Sequence, residues 1–287
     1  MENKVILITG TNSGFGYLTA KGAAAKGHTV YAGMRNTENR NAEKAKELNG
    51  IENITVVEID VTHAAQVKSA IDGIIKKEGK LDVLVNNAGY YGGGITETFS
   101  EQDMENMFNV NVKGPWRTIK SSLPQMRRQG EGLIINISSG LGRFSAPFMT
   151  MYNSTKFALE GLTEGLHYEV RPLGVDAVIV QPGAFPTEIF SKSAYGTDQE
   201  LASEYGDLAN IPEQMGQGMQ QMFEKVKPSP QMVADAIFKL IETPKGERPL
   251  RTVVDAITGQ FVESANANVK EDYNNFLTAF GMGSLLN

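Results

Sequence analysis

Apolar residues along the 287-residue chain fall into two alternating textures. Short runs apolar on both faces, Val5 to Thr9, Thr29 to Gly33, Thr55 to Ile59, Val83 to Asn86, Leu133 to Ile137 and Val175 to Gln181, read as strands. Such strands are covered by helices on each side, as in a parallel sheet. Between them lie windows of helical spacing at Gly16 to Lys26, Asn41 to Asn49, Ala64 to Glu78, Ser100 to Arg127 (broken near Gly114 and Pro115) and Thr150 to Arg171. Strand, helix, strand in repetition predicts a doubly wound α/β sheet. No linker or low-complexity tract divides the chain, so residues 1–287 read as a single domain.

Residues 184–230 break the rhythm. They are rich in Gln, Gly, Ser and Met and carry no strand signal. Within them Met215, Met219, Met222 and Phe223 recur at helical spacing, which predicts a core or subunit contact. A lid over an apolar substrate is the second reading, since Met side chains adapt their shape. Beyond, Val233 to Asn287 predicts a helix, a short strand at Leu250 to Val254 and a terminal helix.

The first strand runs into TGTNSGFG, residues 9–16, and then a helix, the setting in which a glycine motif carries meaning. Gly10 permits the tight turn, Gly14 lets backbone approach a pyrophosphate, and Gly16 lets the helix pack on the sheet. The helix N-terminus offers free N–H groups to phosphates. At the end of the second strand, where NAD binders place an acid for the ribose hydroxyls, stand Met34 and Arg35, with Glu38 beyond. Arg35 matches a 2′-phosphate, so NADP(H) is expected over NAD(H).

Composition narrows the chemistry. A net charge of -6 argues against a nucleic-acid partner. The absence of cysteine removes thiolate metal sites and cysteine nucleophiles, and His28, His63 and His167 have no metal-binding spacing, so no metal is expected. No apolar run reaches the ~20 residues of a membrane helix. The start MENKVILITG lacks a secretory core, so a cytoplasmic protein is expected.

These motifs, taken together, resemble the short-chain dehydrogenase/reductase family. TGTNSGFG is similar to its TGxxxGxG, Asp60 in IDVT to the acid that contacts adenine, and NNAG at 86–89 to a nearly diagnostic family motif. Asn111 heads NVKG, Ser139 and the YxxxK pair Tyr152 and Lys156 follow, and PGAFPT at 182–187 resembles PGxxxT. The matches span residues 4–187. The resemblance implies a single-domain Rossmann fold with a substrate loop at 184–230. It implies a cofactor held by Gly10, Asn12, Ser13, Gly14, Phe15, Gly16, Arg35, Asp60, Val61, Asn87, Ala88, Gly89, Tyr152, Lys156, Pro182, Gly183 and Thr187.

Tyr152 and Lys156, four residues apart, share one helical face. A nearby ammonium is expected to favour the phenolate and lower the tyrosine pKa by ~1–3 pH units. By resemblance Tyr152 is the general acid/base, Ser139 holds the carbonyl oxygen, Lys156 also binds the nicotinamide ribose, and Asn111 positions a relay water. Ser139, rather than Ser138, has the family's interval to the tyrosine. The implied reaction interconverts an alcohol and a carbonyl.

A serine hydrolase is rejected for want of G-x-S-x-G and a placed histidine. A sugar-nucleotide epimerase is rejected for want of a second substrate domain. A non-catalytic dinucleotide-binding module of the same fold is the remaining alternative. YAGMR and YNSTKFALEGLTEGLHYE resemble the hydroxysteroid and retinol dehydrogenase branch, which implies a bulky apolar substrate. Phe144, Phe148, Met149, Phe185 and Phe190 either serve such a substrate or fill the core. YYGGG, 90–94, is expected to form a mobile loop at the pocket edge. Pairing through 100–127 and 150–171 into a homodimer or homotetramer is expected from the resemblance.

Overall fold

The computed structural model describes residues 2–190 and 194–286. Seven strands form one parallel sheet: β1 (Val5–Thr9), β2 (Thr29–Met34), β3 (Ile54–Glu58), β4 (Val83–Asn86), β6 (Gly132–Ile137), β7 (Val175–Pro182) and β9 (Arg251–Val254). Their spatial order is β3-β2-β1-β4-β6-β7-β9. Every neighbouring pair is parallel, as the two-faced apolar runs require.

Alternate residues feed two separate cores. Ile6, Ile8, Val30 and Ala32 pack against α1 (Gly14–Ala25), α2 (Ala42–Asn49) and α9 (Gln231–Glu242). Leu7, Tyr31, Leu84 and Ile134 pack on the other face against α3 (Ala64–Glu78), α5 (Lys113–Gln129) and α6 (Thr150–Val170). The sheet order reverses at β1, which lies between β2 and β4. Ligands in such sheets bind beyond the strand C-termini at this switch point.

Several expectations are corrected. The long helix breaks at Val112, between α4 (Glu101–Asn111) and α5, and not at Gly114-Pro115. Pro115 lies in the first turn of α5, where a missing N–H breaks no helical bond. Residues 184–230 do contain a strand. β8 (Ala194–Tyr195) pairs with β5 (Gly92–Gly93), so the YYGGG glycines form part of a small second sheet. A Cβ at Gly92 would lie 2.3 Å from Met107 Cε and 3.4 Å from Ala194 O, so the strand pair and α4 pack closely on this glycine. The methionine stripe lies on α8 (Ile211–Val226), none of whose residues is buried, so it is not core. α7 (Gln199–Glu204) precedes it, and α10 (Gly259–Ala279) ends the fold.

Among the described residues no helix is long and apolar enough to cross a membrane. Nor does any group of three or more His, Asp or Glu residues form a metal site there.

Candidate active site

The glycine turn is a cradle shaped by steric necessity. Gly10 and Gly14 have φ of 71° and 56°, the left-handed region that favours glycine. A Cβ on Gly10 would lie 2.8 Å from Ala88 Cα, and one on Gly16 would lie 2.4 Å from Asn87 Nδ2. The space is taken because Asn87 donates through Nδ2 to the carbonyls of Thr9 and Gly10, at 2.9 and 3.0 Å. Thr9 Oγ1 in turn accepts from the backbone N–H groups of Asn87 and Ala88. The ends of β1 and β4 are thereby locked together around the turn.

Ser13 caps α1 in an extended conformation, and the first turn of that helix holds no acid. Its positive dipole end therefore faces the cleft uncompensated, as a pyrophosphate site requires. Beyond Gly14 the nearest group is Thr187, 3.6 Å from a built Cβ. These features fit a dinucleotide.

A cleft of about 1780 Å³ runs from this cradle in both directions. It is lined by Asn12, Ser13, Phe15, Asp60, Val61, Gly89, Pro182 and Gly183, as well as the cradle glycines Gly10 and Gly14. Gly16 lies behind, at the helix–strand contact. At one end stand Arg35, Arg40 and Lys44. Met34 is buried at the end of β2, whereas Arg35 is exposed, with Nη1 3.9 Å from Asp60 Oδ2. Burial alone would raise the Asp60 pKa. Hydrogen bonds from Thr62 N and Oγ1, at 2.9 and 2.7 Å, and the Arg35 charge outweigh it, and the carboxyl is held below its usual range. Val61 is packed against Gly114, where a Cβ would lie 2.9 Å away.

At the other end Ser139, Tyr152 and Lys156 converge. Ser139 follows β6, and its Oγ accepts from Leu141 N at 3.1 Å. The Ser139 hydroxyl stands close enough to that of Tyr152 to pull its pKa down. Lys156 Nζ lies 5.5 Å from the Tyr152 ring centroid and donates to Ile137 O at 2.9 Å. Ser138 is buried and its hydroxyl meets no hydrogen-bond partner among the described residues. Asn111 lies at the helix break. It donates to Tyr90 O and Thr155 Oγ1 and accepts from Tyr90 N, joining the loop after β4 to α6.

The expected depression of the tyrosine pKa is not found in this ligand-free site. Burial pushes Tyr152 up, and the Ser139 hydroxyl only partly opposes it. Burial lowers Lys156 to about 8, against the pull of Glu160. Spacing along a helix predicts proximity, but the desolvation of both groups outweighs their mutual charge effect here.

Other groups are given no role from the sequence. Asn86 Nδ2 donates to Asn136 Oδ1, and Asn136 Nδ2 donates to Thr163 Oγ1, both at 2.8 Å. This buried ladder ties β4 and β6 to α6. Glu160 accepts from Gln181 Nε2 at 3.0 Å and Arg251 Nε at 2.8 Å, and Asn266 Nδ2 donates to Gln181 Oε1 at 2.7 Å. Helix α6 is thereby fixed to β7, β9 and α10. Tyr91 stacks edge-on against Tyr152, with centroids 5.2 Å apart. Of the five apolar candidates, Phe185 is core, packed on Phe15. Phe144, Met149 and Phe190 line the cleft, and Phe148 lines a second cavity beside it.

A family model for short chain dehydrogenase matches residues 4–197. The 3-ketodihydrosphingosine reductase of Bacteroides thetaiotaomicron is 38% identical over 187 residues, covering 65% of this chain and 66% of that protein. A short-chain dehydrogenase from Streptomyces avermitilis superposes with a TM-score of 0.78 at 30% identity, over 98% of both chains. An alcohol dehydrogenase from Thermococcus sibiricus, solved with 5-hydroxy-NADP, gives 0.70 at 28% identity, covering 88% of this chain and 96% of that one. A Burkholderia phymatum relative solved with NAD gives 0.75 at 26%, covering 94% and 95%. The family model spans well over half of the sequence, and the motif residues meet around one cleft. The chain belongs to the short-chain dehydrogenase/reductase family of oxidoreductases.

Proposed function

We propose that the protein is an NADP(H)-dependent oxidoreductase that interconverts an alcohol and a carbonyl, with a bulky apolar molecule as substrate. The observation that carries this reading is the convergence of Ser139, Tyr152 and Lys156 at the far end of the cleft from the arginine pair. The glycine cradle lies between them. A nicotinamide dinucleotide, when bound, supplies or removes the hydride.

The chain's own groups handle the proton and the orientation. A phenol held protonated by burial is poised to donate, and the carbonyl oxygen is its acceptor as charge develops there. Ser139, beside that hydroxyl, provides a second hydrogen bond to the same oxygen. Lys156 keeps a positive charge beside the phenol, so a phenolate left after donation is stabilised. Asn111 holds the loop and the helix in register around a proton path from bulk water.

Arg35 and Arg40 support NADP(H), since a 2′-phosphate at this end of the cleft would meet guanidinium groups. The apolar substrate is supported by Phe144, Met149, Phe190, Met215, Met219 and Phe261 along the cleft. Pairing of two copies is supported by exposed Met104, Trp116 and Phe157 on α4, α5 and α6.

The test is oxidation of NADPH and of NADH against apolar ketones, aldehydes and quinones, with Tyr152→Phe in parallel. Removing the general acid should lower kcat by about 10²–10⁴-fold while cofactor binding, followed by fluorescence, persists. Cofactor binding with no turnover of any carbonyl or alcohol would favour a regulatory dinucleotide-binding module instead.

A further inference from the structure

We infer that the substrate carries a long unbranched aliphatic chain, and that this chain lies in a second cavity beneath α8. The inference rests on the alcohol–carbonyl reading of the main cleft and specifies its substrate class.

A cavity of about 730 Å³ lies beside the cleft, large enough by itself for a sizeable organic group. The two spaces share Tyr91, Met149, Phe190, Met215 and Met219 as a common boundary. A row of rings leads from the reacting hydroxyl into the cavity. Tyr91 packs on Tyr152, Phe190 lies 5.7 Å from Tyr91, and Phe223 lies 6.0 Å from Phe190. Phe223 lines only the second cavity. A substrate with its carbonyl at Tyr152 therefore has an apolar path along these rings into the second cavity, which also touches the cradle at Gly14 and Thr187.

The lining selects what travels along that path. Among the described residues around the cavity there is no Lys, Arg or His, and the one acid is Glu188. Among those described residues a phosphate or carboxylate at the end of the chain finds no counter-charge. Thioethers and rings offer dispersion contacts to a hydrocarbon of adaptable shape. The roof is apolar as well: α8 contributes Met215, Met219 and Phe223 to the lining. A chain in the cavity would give that apolar face something to cover.

Gly216 supplies the test. It lines the second cavity but not the cleft, and a Cβ built there meets nothing within 4 Å. Its backbone is helical, so Gly216→Trp fills space without strain, and Gly216→Leu fills less of it. Binding of a series of n-alkanols from butanol to tetradecanol is measured by calorimetry, and kcat/KM with NADPH for the matching n-alkanals and 2-alkanones. In the wild type, affinity should improve about fourfold for each methylene that enters the cavity. In Gly216→Trp the gain should stop several carbons earlier. The ratio of long-chain to short-chain kcat/KM should then fall by about tenfold or more, with Gly216→Leu between the two.

Flat affinity along the series in the wild type, or the same slope in all three proteins, overturns the inference. Binding is read without turnover, so the two readings fail separately. Chain-length-dependent binding without turnover sinks the alcohol–carbonyl reading alone, while turnover with flat binding sinks only the tail cavity.

Discussion

Lys156→Met should make the ligand-free protein more stable at neutral pH, although it removes a residue of the proposed catalytic set. Lys156 is 6% exposed, and burial lowers its pKa from 10.5 to about 8. Keeping it charged in the folded protein at neutral pH costs about 3 kcal/mol, at about 1.36 kcal/mol per pH unit of depression. Methionine has similar length and no charge to desolvate. It forfeits the hydrogen bond from Nζ to Ile137 O, about 1 kcal/mol. The balance favours the variant by about 2 kcal/mol at neutral pH. The sign must change with pH. Between about 8 and 10.5 the folded lysine is neutral while the unfolded lysine keeps its proton. The unfolded state then binds more protons, so the wild type gains stability as pH rises. Above the unfolded value only the lost hydrogen bond remains, and the variant becomes the less stable of the two. Urea midpoints by circular dichroism, taken in steps from neutral to alkaline pH, give both signs in one series. A variant that is less stable at neutral pH, with a gap that does not move with pH, would refute the claim that burial of this ammonium is costly.

Two further outcomes are expected. Arg35→Ala should raise KM for NADPH about tenfold or more, as expected for hydrogen bonds to a charged phosphate, and leave KM for NADH unchanged. An equal effect on both cofactors in steady-state kinetics would remove the 2′-phosphate argument. Arg248→Met should destabilise the fold by about 3–5 kcal/mol, the cost of stranding one partner of a buried ion pair. Arg248 Nη1 lies 2.6 Å from Asp176 Oδ2, with both side chains under 5% exposed. Adding Asp176→Asn should recover much of the loss in the same urea titration, because the stranded charge is then gone.

What could be read from the sequence shares one property: it is local. The strands were legible because two-faced apolar runs admit few other folds. The glycine turn was legible because φ of 71° and 56° leaves little choice of residue at Gly10 and Gly14. The tyrosine–lysine pair was legible because helical periodicity alone brings the two residues together. What was left open or missed depended on partners distant in the chain. Phe185 and Phe190 look alike in sequence, five residues apart. Phe185 is buried against Phe15 from the first helix, and Phe190 lines two cavities between Tyr91 and Phe223. The two-residue strand at Gly92–Gly93 exists only because Ala194–Tyr195 runs beside it. Glu160 gave no sign of its bond to Arg251, 91 residues away.

The pKa of Tyr152 belongs to the same class, and it changes the chemistry. Spacing placed a cation near a phenol, which by itself predicts a lowered pKa. The fold encloses both groups, and desolvation then raises the phenol and lowers the amine. The ligand-free site thus holds a protonated phenol beside an ammonium that costs stability to keep charged. In the proposed reaction, negative charge developing on a carbonyl oxygen there would offset the penalty on the ammonium and accept the proton of the phenol. The stability sacrificed at Lys156 and the proton retained on Tyr152 are two sides of one arrangement, complementary to a charge that exists only while the reaction proceeds.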